Sequence, residues 1–166
     1  VDVAVYAVPS HVMRTIVEKY PFSKKTLRVS VAKGIENESL MRMSEVIRDV
    51  AGDRTILTLS GPSHAEEVAA DLPTTVVVAG RDHSACNRIQ EAFLCRTFRV
   101  YTSPDIVGVE LGGALKNVIA IASGVCDGFG LGDNAKAALI TRGLAEMSRL
   151  GVAMGADPLT FAGLSG

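Results

Sequence analysis

Val1-Asp2-Val3-Ala4-Val5-Tyr6-Ala7-Val8 is a short run rich in β-branched residues that closes on Pro9-Ser10. Such a run reads as a buried strand, and a helical stretch over 11–19 follows the proline turn. The same unit then repeats. A strand over 27–32 precedes a helix over 39–50, and a strand over 55–59 precedes a helix beginning near Ser63. A strand over 74–79 leads to a helix over 82–94 and a last strand over 98–102. Repeated strand–helix units predict an α/β fold with a mostly parallel sheet and helices on its faces. Asp71-Leu72-Pro73 is a tight connection, so strands after the third can run antiparallel, and the strand order is left open.

From Pro104 onward no strand is evident. Residues 104–126 carry a proline at their start and apolar residues almost all round, so they read as a helix buried on most sides. A second helix over 134–155 ends at Gly155-Ala156, and Asp157-Pro158 caps the next. The change from α/β to all-α places a domain boundary near Ser103, giving parts 1–103 and 104–166. The strand at Val1 has no preceding cap, so we expect part of the sheet to lie upstream.

Composition narrows the partners. The 166 residues include 17 Lys and Arg against 18 Asp and Glu, a net charge of −1, which provides no footprint for nucleic acid or an acidic membrane surface. The most apolar long window, 107–125, carries Glu110 and Lys116 near its middle, which argues against a membrane span. The three cysteines, Cys86, Cys95 and Cys126, form no C-x-x-C pair, so neither a disulfide framework nor a cysteine zinc site is expected. His11, His64 and His83 have no metal-ligand spacing, and no metal is expected. A reducing cytoplasm fits this usage, and no signal peptide is evident. Gly128-Phe129-Gly130-Leu131-Gly132 lies between helices rather than between a strand and a helix, so it reads as an interhelical loop and not as a dinucleotide fingerprint.

Three places can carry chemistry. In Ser60-Gly61-Pro62-Ser63-His64-Ala65-Glu66-Glu67, Ser63 and Glu66 have capping-box spacing, which puts a helix N-terminus at the carboxyl end of a strand, where anions and cofactors bind. The alternative is a well-capped helix with no ligand. Lys33-Gly34 follows the second strand, and a parallel sheet puts Lys33 at the same edge, beside Ser63, to hold a carbonyl, a phosphate or a ribose; otherwise it is a surface lysine. In Leu111-Gly112-Gly113-Ala114-Leu115-Lys116-Asn117-Val118, an amine and an amide sit side by side, with Glu110 one helical repeat from Asn117, as one polar stripe on a buried helix. Desolvation lowers a lysine pKa and suits it to proton transfer. Gly112 and Gly113 each cost helix propensity of about 1 kcal/mol, which makes sense where backbone or ligand approaches closely. Lys116 is then expected to be largely buried and to face a cleft between the two parts; the alternative is a lysine snorkelling to the surface.

These blocks, together with Ala7-Val8-Pro9-Ser10, Ala32-Lys33-Gly34-Ile35-Glu36 and Asp127-Gly128-Phe129-Gly130-Leu131-Gly132-Asp133-Asn134, resemble the bacterial type of NAD(P)-dependent sn-glycerol-3-phosphate dehydrogenase along essentially the whole chain. The resemblance implies the latter part of a Rossmann-like doubly wound sheet followed by the start of an all-α domain. It implies oxidoreduction between sn-glycerol 3-phosphate and dihydroxyacetone phosphate with NAD or NADP, a phosphorylated triose being the small-molecule partner. Exposed parts of the apolar helices after Pro104 lead us to expect a homodimer, and the cysteine usage a cytoplasmic location. By resemblance, Lys116 is the catalytic proton acceptor, and Lys33, Gly61, Ser63, Lys116 and Asn117 bind substrate. Pro9, Lys33 and Ala65 bind the cofactor. The family's opening strand and G-x-G-x-x-G loop are expected before Val1, and its Arg-containing phosphate segment beyond Gly166, so this stretch alone is expected to be inactive. Two alternatives stay open: a β-hydroxyacid dehydrogenase, which also pairs a helical Lys with an Asn, and a non-catalytic binding module that keeps the fold.

Overall fold

The computed structural model describes residues 1–52 and 54–164. Five strands, β1 (Val3–Tyr6), β2 (Leu27–Ser30), β3 (Ile56–Ser60), β4 (Thr74–Ala79) and β5 (Phe98–Ser103), form one sheet in chain order. β1, β2 and β3 run parallel, β3 and β4 antiparallel, and β4 and β5 parallel. Parallel neighbours need a crossover long enough to return the chain to the same edge. The first two crossovers contain α1 (Met13–Lys19), entered through a 3₁₀ turn at Ser10–Val12, and α2 (Met43–Ala51), while α4 (His83–Phe93) makes the crossover from β4 to β5. Between β3 and β4 there is only the short α3 (Ala65–Ala69) and a turn in which Asp71 takes a left-handed φ of 58°. The chain therefore turns back at the top of β3, and β4 descends antiparallel.

Alternation along the strands divides the core. Leu27, Val29, Leu57, Leu59, Val76 and Val78 pack on one face against Ala85, Cys86 and Ile89 of α4. On the other face, Tyr6 and Ile56 meet Met13 and Val17 of α1 and Met43, Val46 and Ile47 of α2. Val77 and Ala79, on the odd register of β4, receive Ile106 and Val109 of a long helix, α5 (Ile106–Gly128). A sheet covered on both faces, followed by helices, is the α/β architecture that the strand–helix alternation predicts.

α5 turns back through 129–131 into α6 (Gly132–Ala153), which leads to a 3₁₀ turn at Pro158–Ala162. Leu111, Met147, Ala156 and Phe161 form the core between them. Asp105 caps α5 by accepting from Gly108 N at 2.9 Å, and its second oxygen accepts from Thr160 Oγ1 at 2.6 Å.

Three expectations are corrected. The helix expected over 39–50 begins only at Met43: Leu40 takes φ 58°, and Arg42 pairs as an isolated antiparallel bridge with Ile35. That bridge uses backbone which a helix would need. The helix expected to be buried on most sides is buried only along its first two turns. Ile106, Val109 and Leu111 are enclosed, whereas Val118 is 65% exposed and Ile121 70% exposed, because the sheet reaches only the beginning of α5 and α6 covers one side of the rest, where Gly143 lies against Ile119. The capping box at Ser63 does not form: α3 starts at Ala65, and the backbone of His64 rather than Ser63 precedes its first turn. α5 is long and apolar enough to cross a membrane by length and composition, yet its first turns lie inside the fold and the two charged residues in its first half, Glu110 and Lys116, have partners there.

Candidate active site

Because β1, β2 and β3 are parallel, the segments leaving them emerge at one edge of the sheet. β1 runs into Ala7-Val8-Pro9, β2 into Val31-Ala32-Lys33, and β3 ends at Ser60, directly before Gly61. Ala7, Val8, Pro9, Val31, Ala32, Lys33 and Ser63 line a cavity of about 410 Å³ there. Pro9 holds extended backbone, φ −58° and ψ 143°, and starts the 3₁₀ turn of Ser10–Val12.

Gly61 is the centre of the site. Its φ of +152° is one that side chains rarely adopt, and a Cβ there would lie 3.0 Å from both Thr75 O and Val76 Cα of β4. Only glycine lets the chain turn off β3 this close to its antiparallel neighbour. The turn presents the Gly61 carbonyl to three donors: Lys116 Nζ at 3.0 Å, Lys33 Nζ at 3.3 Å and Ser63 Oγ at 3.3 Å. Two amines from segments far apart in the chain thus converge on one oxygen.

Close helix approach makes this possible. At Gly113, one turn before Lys116, a Cβ would come within 2.6 Å of Ser60 Oγ and 3.6 Å of Lys33 Cγ. Glycine therefore lets α5 lie directly on the end of β3. The Ser60 hydroxyl, buried beneath it, makes no hydrogen bond in the structure.

Both amines are half-buried. Burial pushes the Lys33 amine below the ordinary lysine value; burial, and then the nearby Lys33 charge, push the Lys116 amine down as well. Among the described residues neither amine has a carboxylate partner. Two like charges with a shared carbonyl and no counter-ion suit an anionic or carbonyl-bearing ligand, since such a ligand relieves their repulsion.

The structure brings Pro9, Lys33, Gly61, Ser63 and Lys116 together, with Ser63 beside Lys33 as the parallel sheet required. Two of the expected residues stand outside this cluster: Asn117 is exposed on α5 next to Lys116, and Ala65 is exposed at the start of α3. Lys116 is half-buried rather than largely buried, because it lies where α5 leaves the fold. The expected polar stripe is also broken. Glu110 turns to the opposite surroundings, where its carboxylate accepts from Arg42 Nη1 at 2.6 Å, Ser44 N at 2.7 Å and Ser44 Oγ at 2.6 Å. Sequence reasoning missed Arg42 and Ser44, since nothing local connects them to a helix 66 and 68 positions away. Among the described residues no group of three or more His, Cys, Asp or Glu side chains could hold a metal ion.

Residues 1–86 match the family model described as the N-terminus of NAD-dependent glycerol-3-phosphate dehydrogenase, and residues 105–166 match the model of its C-terminus. A glycerol-3-phosphate dehydrogenase [NAD(P)+] of Pelotomaculum thermopropionicum is 59% identical over 168 residues, covering 98% of this chain and 48% of that protein. The enzyme of the same name from Bacillus subtilis is 54% identical, covering 99% and 49%. A crystal structure of glycerol-3-phosphate dehydrogenase from Coxiella burnetii superposes with a TM-score of 0.94 at 39% identity, covering 100% of this chain and 51% of that one. The chain spans about half the length of the curated relatives it matches.

Proposed function

The chain belongs to the NAD-dependent glycerol-3-phosphate dehydrogenase family, and from that premise we propose that its protein interconverts sn-glycerol 3-phosphate and dihydroxyacetone phosphate with NAD or NADP. The observation that supports this reading is the convergence of the Lys33 and Lys116 amines on the Gly61 carbonyl. The cavity at the carboxyl ends of β1 and β2 fits a dinucleotide edge, with Pro9 and Lys33 in its wall and Ala65 at the start of the neighbouring helix. The nicotinamide, when bound, takes or returns a hydride at its C4.

In the oxidation direction, the central C–H of glycerol 3-phosphate leaves as hydride, and the proton of the adjoining hydroxyl goes to the neutral Lys116 amine, leaving a carbonyl. In the reverse direction the Lys116 ammonium returns that proton to the oxygen. Burial, and then the Lys33 charge, push the Lys116 amine below the ordinary lysine value and so favour its neutral form relative to a free lysine, while Lys33, Gly61 and Ser63 hold the substrate, with Asn117 at the exposed rim beside Lys116. An ammonium aimed at the carbonyl oxygen stabilises charge that develops as hydride arrives, a contribution of roughly several kcal/mol in a water-poor cleft. Oxidation needs the deprotonated amine, so kcat/KM for glycerol 3-phosphate rises with pH through a range below 10.5, the ordinary lysine value.

The division into 1–103 and 104–166, a homodimer and a cytoplasmic location belong to the same reading. Exposed Val118, Ile121, Ile140 and Leu144 on α5 and α6 favour association, and three free cysteines suit a reducing compartment. The balanced net charge favours a small ligand over nucleic acid.

In the full-length enzyme, Lys116→Ala lowers turnover roughly 10²–10⁴-fold and leaves cofactor affinity nearly unchanged. Lys116→Arg does not restore it, because a guanidinium keeps its proton at every working pH. Steady-state oxidation of glycerol 3-phosphate near the wild-type rate in either variant would make Lys116 a structural residue and overturn the mechanism.

A further inference from the structure

We propose that Glu110 is a positioning residue for both amines, tying the helix that carries Lys116 to the loop that carries Lys33. The inference rests on the reading above of what the two amines do. Its geometry is independent of it.

Glu110 lies on α5, six positions before Lys116, a distance of about 9 Å along a rigid helix. Its side chain is only 4% exposed. One carboxylate oxygen accepts from Ser44 N at 2.7 Å; the other accepts from Ser44 Oγ and Arg42 Nη1, both at 2.6 Å. Arg42 is the closing residue of the loop after β2. Its backbone pairs with Ile35, two residues beyond Lys33, and Glu36 N donates to Met41 O at 2.9 Å inside that closure. On its other side, Arg42 is held by Glu45, which accepts from Arg42 Nη2 at 2.6 Å and from Arg42 N at 2.9 Å.

The backbones that carry the two amines are therefore tied to each other through Glu110. The path runs from Lys33 through the Ile35–Arg42 bridge to Glu110, then along α5 past Gly113, which rests on Ser60, to Lys116. A buried ion pair of this kind adds little to stability compared with a well-packed apolar pair; here its directional hydrogen bonds join α5 to one place on the loop after β2. Those elements carry the two amines. Among the described residues, the charged groups facing Glu110 are Arg42 and, through it, Glu45; the charged group facing Lys116 is Lys33.

The test uses the full-length enzyme. Glu110→Gln keeps the shape and removes the charge; Glu110→Asp keeps the charge and shortens the reach. With fold verified by circular dichroism, we expect Glu110→Gln to lower kcat/KM for glycerol 3-phosphate by about 10²-fold. The rising limb of its pH profile moves to higher pH, because loosened amines repel each other less. Glu110→Asp gives a smaller change of the same sign. A side-chain NMR titration of Lys116 reads the same shift without turnover, a readout that a purely structural residue would not move.

A folded Glu110→Gln enzyme with wild-type kcat/KM and an unmoved Lys116 titration overturns the proposal and leaves Glu110 as a cap on α2. Failure of both variants to fold also overturns it. Should the wild-type protein not oxidise glycerol 3-phosphate, the functional reading fails, while the NMR titration still decides whether Glu110 positions the amines.

Discussion

The two halves of α5 are made of similar residues and meet opposite surroundings. Val109 and Leu111 in the first half have no exposed surface, whereas Val118 and Ile121 in the second are more than half exposed. Apolar composition therefore states a preference for burial, and the fold decides whether this chain satisfies it. Lys116 sits at the crossing point. A lysine deeper in the first half would be fully desolvated and closed to a ligand, and one further out would be an ordinary solvated ammonium. At the junction the amine is buried enough to be shifted downward and remains within reach of the cavity edge.

This contrast can be broken or sharpened by substitution. The largest effect is expected at Leu111, enclosed by Met147, Ala156 and Phe161: Leu111→Ala removes roughly 2–5 kcal/mol of stability, by lost transfer energy and a residual cavity. The measurement is the urea midpoint, and a loss below about 1 kcal/mol would show that the first half is not a true core. Next comes Gly113→Ala, whose Cβ would meet Ser60 Oγ at 2.6 Å. Overpacking there costs about 1–3 kcal/mol and displaces α5 from β3, so glycerol 3-phosphate oxidation falls more than stability does; a fully active variant would show that close approach is not needed at the junction. The smallest effect is expected for Ile121→Ser, within about 0.5 kcal/mol in this chain because the side chain is exposed. A cost equal to that of Leu111→Ala, measured together with sedimentation velocity, would mean that another copy covers the second half.

Much of the fold was legible because it depends on local chemistry. The β-branched run 74–79 matches β4 residue for residue, and the short link through Asp71 accounts for the antiparallel turn that the tight Asp71-Leu72-Pro73 connection allowed. Lys33 and Lys116 were also legible as places for chemistry, one because it follows a strand and the other because it interrupts an apolar helix; Gly61 was pointed to only by the family resemblance. What failed was local reasoning about caps. Ser63 has the spacing of a helix cap but donates to Gly61 O instead, and Glu66 lies 3.0 Å from His64 Nδ1. At α2 the N-terminal Ser44 N–H is satisfied by Glu110, from another element altogether.

From the sequence alone came the strand–helix alternation, the sheet edge at which Lys33 emerges, and the close approach at the Gly112-Gly113 pair, because periodicity, turn chemistry and side-chain size act over a few residues. It took the assembled fold to set Glu110 against Arg42, to bring Lys33 and Lys116 to one carbonyl, and to fix where α5 passes from core to surface. Those outcomes depend on which distant segments pack together. Burial and charge pairing across such distances are properties of the assembled fold, and no local pattern encodes them.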